Sequence, residues 1–165
     1  MKKIYLLGII TILLSCSDGD LQIETLNFDD VTAQNCGTLS IDTELFFKIN
    51  DNEALILTLQ SGVLKNEVSS EVITSTIPSQ STLTYRTFSN TVAKEYFCDA
   101  LPPVSPTVTG EIEAANGTVL IETAAGANGS FVHTIILSDI TLLKSDGTRI
   151  TDLTISEFAE ITTTP

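Results

Sequence analysis

The chain has 165 residues, 42% of them hydrophobic, with 21 acidic residues against eight basic ones and a formal charge of −13. A surface this acidic repels phosphate backbones, which argues against nucleic acid as a partner, and it disfavours flat adsorption to anionic lipid. The length suits one domain of ordinary size that buries on the order of two thirds of its unfolded surface.

Lys2 and Lys3 open the chain, Ile4 to Leu14 form an eleven-residue apolar run, and Leu13-Leu14-Ser15-Cys16 closes it. As a helix the run reaches about 16 Å against a hydrocarbon core of roughly 30 Å, so it is too short to span and reads as a signal peptide over residues 1–15. Ordinary cleavage favours small residues at −3 and −1, and Leu13 fits that poorly. Leu13, Ser15 and Cys16 resemble instead the lipobox of bacterial lipoproteins. That resemblance implies that Cys16 is lipidated and becomes the mature N-terminus. A single acyl chain holds only marginally, at about 0.8 kcal/mol per buried methylene. The cysteine of that family carries several chains, which implies a stable membrane anchor.

Ser17-Asp18-Gly19-Asp20 follows as an acidic tether. It resembles the export tag of Bacteroidota lipoproteins, which implies the outer membrane and its outer face; a plain flexible tether is the alternative. The pattern around Phe46-Phe47-Lys48-Ile49-Asn50, Tyr96-Phe97-Cys98 and Pro102-Pro103 is similar to flavobacterial lipoproteins, a resemblance that implies no activity. The leader removes two bases and no acid, leaving 21 acids, six bases and a charge of −15 on the mature 150 residues.

With Cys16 assigned to lipid, Cys36 and Cys98 remain as an even pair in an oxidising compartment, so a disulfide is expected between them. Closing a loop of that length restricts the unfolded chain by at most roughly 4 kcal/mol in the entropic account. Two separate buried thiols are the alternative. Two distant cysteines and a single histidine are too few for a zinc site.

The mature chain is rich in Thr, Ser, Ile, Val and Leu, with turn residues every eight to twelve positions, which predicts an all-β fold. Leu21 to Phe28 alternates. Thr38 to Ile49 reads as a strand pair or a bulged strand, and Asn50-Asp51-Asn52 as a turn. Ala54 to Leu59 places Ile56 on one face and Leu55, Leu57 and Leu59 on the other. Glu71 to Ile77 stops at Pro78. Ser81 to Phe88 sets Leu83, Tyr85 and Thr87 against Thr84, Arg86 and Phe88.

Residues 91–101 admit two readings. Ser89 or Asn90 could cap a short helix with Val92, Tyr96 and Leu101 on its inner face, ended by Pro102-Pro103. Alternatively, Tyr96 two residues before Cys98 on a strand resembles the tyrosine corner of immunoglobulin domains, though the chain has no Trp. Pro102 to Pro106 is a stiff connection that could join two halves. Beyond it, Asn116-Gly117 predicts a hairpin between Gly110–Ala115 and Thr118–Thr123. Ala124 to Gly129 is a loop, Phe131–Leu137 and Ile140–Leu143 are strands, and Asp146-Gly147 turns the chain into Arg149–Ile155. Ile155 to Ile161 is a last strand, and 162–165 reads as a frayed end.

His133 is the sole histidine, in the β pattern Phe131-Val132-His133-Thr134-Ile135. A hydrolase triad would need a nucleophile and an orienting carboxylate beside it, and no Gly-x-Ser-x-Gly elbow occurs. A core or sheet-surface histidine is the simpler reading. Asp29-Asp30, Asp51 with Glu53, and Glu111 with Glu113 could serve as glycosidase acids or calcium ligands. Glu111 and Glu113 share a strand face, about 7 Å apart. Glycosidases need two carboxyl groups across a cleft, usually lined by aromatics, which are scarce here. The EF-hand spacing is absent, so calcium remains an option for the acidic loops only, and the simpler reading is turn chemistry. Asn116-Gly117-Thr118 and Asn128-Gly129-Ser130 have the glycosylation-acceptor form but read as turns.

The expectation is therefore an antiparallel β-sandwich over residues 21–165, immunoglobulin-like or jelly-roll-like, with two halves joined near 102–106 and one short helix near 91–101. It is expected to be lipid-tethered at the outer membrane and to act as a non-enzymatic module that binds a protein or a glycan, or fills a structural role. The alternative is an envelope or polysaccharide hydrolase.

Overall fold

The computed structural model describes residues 26–144, 147, 149–150 and 157–165; the leader, Cys16, the tether, Leu21, Ile23, Asp146 and Ile155 lie outside them. Short runs of alternating apolar and polar residues, rich in β-branched side chains, form the strands. In chain order these are β1 (Gln34–Asn35), β2 (Leu45–Asn50), β3 (Glu53–Thr58), β4 (Ile73–Ile77) and β5 (Thr82–Phe88). A single helical turn, α1 (Glu95–Cys98), precedes β6 (Val108–Ala125), β7 (Phe131–Leu143), β8 (Arg149–Ile150) and β9 (Glu157–Thr163). Every pairing is antiparallel.

One sheet runs β1-β2-β3-β5 and the first part of β6. The other is built from β4, the second part of β6, β7 and β9, with β8 beside the far end of β7. Between them lies the main core. Phe46, Leu55, Leu57, Leu83 and Tyr85 enter it from the first sheet, and Ile77, Val119, Ile121, Ile135, Leu137 and Phe158 from the second. The architecture is all-β and sandwich-like, as the alternation predicts. Leu26 and Phe28 are buried in this core, outside the strands.

The outer face of the first sheet carries a second core. Phe47 of β2, Ala54 and Ile56 of β3, and Phe88 of β5 point away from the sandwich interior. Residues 92–98 cover them. Phe97 stacks on Phe47 with ring centroids 4.5 Å apart, and Tyr96 meets Phe88 edge-on at 4.9 Å. The Cys36–Cys98 disulfide fixes the end of this cap beside β1, with the two Cα atoms 5.3 Å apart.

Several local expectations change. Tyr96 and Cys98 lie on a helical turn, so there is no tyrosine corner: the segment serves as a lid on an apolar sheet face, and a strand could not aim Tyr96, Phe97 and Cys98 at it together. Lys94 stands at the N-cap of α1 with no side-chain cap hydrogen bond, while the Ser89 hydroxyl accepts the Thr107 N–H at 3.0 Å. Leu101 lies outside the inner face, 87% exposed. Residues 38–44 are turns rather than strand, with Thr43 Oγ1 and Ser40 Oγ tying local amides.

Asn116-Gly117 makes no hairpin. Its flanks differ in partner: residues 108–113 pair with β5 and residues 117–121 with β4, while β7 pairs with Ala114, Asn116 and the residues from 118 on. One strand therefore passes from sheet to sheet, and the register shifts on both sides of Asn116 are bulges that bend it. Gly117 has φ +150°, and a Cβ there would strike the Ile140 side chain, so turn-type residues serve the bend. Ile140 likewise continues β7 past a break at Asp139, φ +56°. Residues 162 and 163 belong to β9, with Thr163 buried, so the end is anchored rather than frayed.

Because the outer core depends on a lid of few residues, reducing Cys36–Cys98 or making Cys36→Ser is expected to lower unfolding stability by about 2–4 kcal/mol, read as a drop in urea midpoint. Binding of a hydrophobic dye should rise as the face of Phe47, Ile56 and Phe88 opens.

Candidate functional site

Among the described residues two buried side chains are basic, Lys48 and His133, one on each sheet. Lys48 lies on the same face of β2 as Phe46, so strand alternation drives it inward; it is only 3% exposed. Its ammonium donates a 2.9 Å hydrogen bond to the Phe28 carbonyl and stands 5.5 Å from the centroid of the Phe158 ring. Burial pushes its pKa down from the ordinary lysine value, while Asp29 and Glu157 pull it back up. Lys48 sits at a shallow cavity of about 180 Å³ lined by Asp29, Asp30, Glu157, Phe158 and Glu160.

The cavity joins acids from the two ends of the described chain. Asp29 and Asp30 come from the turn that follows Phe28, and Glu157 and Glu160 from β9. Sequence reasoning singled out Asp29-Asp30 but missed Lys48, Glu157 and Glu160. The available signal was a lysine inside the apolar run Leu45 to Ile49.

His133, on β7, is fully buried. Its Nδ1 pairs with Thr123 Oγ1 of β6 at 2.8 Å and its Nε2 with Thr163 Oγ1 of β9 at 2.7 Å. The Thr163 hydroxyl donates onward to Asn66 Oδ1 at 2.6 Å. That last bond orders the chain of protons. With its hydrogen given to Asn66, Thr163 Oγ1 accepts from Nε2–H, and in the neutral ring Nδ1 then accepts from the Thr123 hydroxyl. Both nitrogens are occupied, and desolvation holds the pKa below the usual histidine value, which favours the neutral ring. Its partners are threonines rather than the carboxylate a catalytic triad requires.

The remaining acids are dispersed. Glu111 is bound by Arg86, whose Nε lies 2.6 Å from Oε2 and whose terminal nitrogen contacts the same oxygen. Glu113 is opposite Thr84, one strand-repeat on. Asp51 has φ +50° in the β2–β3 turn, with Glu53 beginning β3. Asn128, φ +55°, shapes the β6–β7 turn. Among the described residues no group of three His, Cys, Asp or Glu side chains is arranged to hold a metal ion, and no helix there is long and apolar enough to cross a membrane. Compared with known proteins, the chain matches no family model, no curated protein and no solved structure.

Two outcomes follow. Lys48→Met should cost about 1–3 kcal/mol in denaturant unfolding, because the Phe28 carbonyl loses its buried donor. A histidine whose folded pKa lies below its unfolded value of about 6.5 favours unfolding as pH falls through that value, since the unfolded chain then binds more protons. Stability should therefore decline with falling pH from about 6.5 until the folded pKa is reached, and His133→Gln should flatten that slope in urea titrations across the same window.

Proposed function

We propose that this chain is an extracytoplasmic lipoprotein, anchored through acyl chains on Cys16 at the outer membrane, whose β-sandwich works as a binding or structural module. The observation that carries the reading is the leader, Lys2 to Cys16, with its lipobox. The Cys36–Cys98 disulfide supports it, because such bonds persist in oxidising compartments. An anchored core agrees as well: Leu26 and Phe28 are buried, so at most nine residues separate Cys16 from the sandwich. Fully extended, that tether reaches roughly 35 Å, about the width of the domain itself.

The alternative, an envelope or polysaccharide hydrolase, draws on the cavity where Asp29, Asp30, Glu157 and Glu160 converge. The bonding of His133 to two threonines weighs against its histidine-based form. Calcium at the acidic loops would belong to either reading as a structural ion.

Cells fed labelled fatty acid should yield labelled protein that Cys16→Ser abolishes, and the variant should leave the membrane fraction. Protease treatment of intact cells would remove the labelled protein if it faces outward and spare it if periplasmic. An unlabelled native protein that still begins with methionine would overturn the anchor. Polysaccharide cleavage lost in Asp30→Asn or Glu160→Gln would favour the hydrolase instead.

A further inference from the structure

The lid of residues 92–98 is part of one connection, residues 89–107, that joins two neighbouring antiparallel strands, β5 and β6. The base of this connection is closed by its own backbone. The Ser89 N–H donates to the Thr107 carbonyl at 2.9 Å, and the Thr107 N–H donates to Ser89 Oγ at 3.0 Å. Just beyond the base, the Val92 N–H donates to the Asp51 carbonyl of the β2–β3 turn at 2.9 Å. From Cys98 the chain returns to β6 through a proline arch, residues 101–106. A loop closed at its base and folded over a sheet face is a flap with a fixed hinge.

Beyond Val92 the flap has few holds of its own. Helix α1 is a single turn with no side-chain cap bond, and none of its four residues is fully buried. Tyr96 and Phe97 are half-buried against Phe88 and Phe47. The one covalent hold joins Cys98 to Cys36, the residue just past β1. Both cysteines are half-buried and are followed by exposed residues, Gly37-Thr38 and Asp99-Ala100, which leaves the bond open to a reductant from solvent. The two cores are also separate. No residue of 89–107 and neither cysteine belongs to the main core between the sheets, and the face under the lid, formed by Phe47, Ala54, Ile56 and Phe88, lies on the other side of the first sheet.

We propose that Cys36–Cys98 is a redox latch on this flap. Oxidised, it holds residues 93–100 over the outer aromatic face; reduced, it lets them swing out on the Ser89–Thr107 hinge while the sandwich stays folded. The reductant is a dithiol, free or carried on a protein. One of its thiolates attacks one sulfur of the bond to give a mixed disulfide, and its second thiol then displaces the remaining cysteine. The chain gains two thiols, and the dithiol leaves as a disulfide. In an oxidising compartment the latch stays shut, and it opens only where such a dithiol is supplied. Opening uncovers Phe47, Ile56 and Phe88, so the chain carries an apolar patch only while reduced. The inference concerns the domain alone and is independent of the anchor at Cys16.

Hydrogen exchange read by mass spectrometry tests this on the purified full chain in three forms: oxidised, reduced with dithiothreitol in the absence of denaturant, and the double variant Cys36→Ser/Cys98→Ser without reductant. At short labelling times, peptides from 92–100 should take up deuterium about tenfold faster or more in the second and third forms. Peptides from β6, β7 and β9 should remain slow to exchange in all three, and the reduced chain should still unfold in one cooperative urea transition. Oxidised glutathione should return the reduced chain to the closed pattern. Unchanged exchange at 92–100 once both thiols have formed would overturn the inference, because the lid would then hold without its latch. Early exchange across both sheets, a bond that dithiothreitol reduces only in denaturant, or a reduced chain that oxidation does not reclose would overturn it equally.

Discussion

The structure depends on one constraint: β3 is apolar on both faces. Leu55 and Leu57 belong to the interior of the sandwich, and Ala54 and Ile56 to its outside. A strand of this kind in an antiparallel sheet must be covered twice. The second sheet covers one face. The other is covered by a lid of seven residues from Val92 to Cys98, too short to hold itself by helical hydrogen bonds. The ring contacts of Tyr96 and Phe97 and the covalent tie to Cys36 supply what the helix cannot. The disulfide thus closes a second core, which explains its place at the end of the lid.

The second organising element is β6. Its first part extends the sheet of β2, β3 and β5, and its second part is the centre of the sheet that contains β4 and β7. The bend requires unpaired residues in both strands of the pair, near Asn116-Gly117 on β6 and Asp139 on β7. A shared strand couples the sheets through backbone hydrogen bonds as well as side-chain packing, and it carries the chain out of the proline arch directly into both layers.

Lys48 and His133, the two buried basic side chains among the described residues, sit where distant parts of the chain meet. Lys48 fastens the Phe28 carbonyl, near the first of the described residues. His133 ties β6 and β7 to Thr163 near the last residue, and Thr163 reaches Asn66. Each group has a named partner, which limits the cost of its burial. Because both are satisfied by carbonyl or hydroxyl oxygens, their positions are explained by the fold itself.

Much of this was legible in the sequence. The alternation in Leu55 to Leu59 and Leu83 to Phe88, the turn at Asp51-Asn52 and the pairing of the two later cysteines follow from local periodicity and from simple counting. Local pattern could not decide whether Asn116-Gly117 turns or bends the chain, because glycine and asparagine serve both purposes and the choice lies with the strands on either side. Nor could it reveal that Lys48 and Thr163 are buried, that Glu157 lies near Asp29, or that Leu101 faces water beside a lid it was expected to join. These are relations between residues remote in sequence, fixed only when the two sheets close and each side chain meets either a neighbour or solvent.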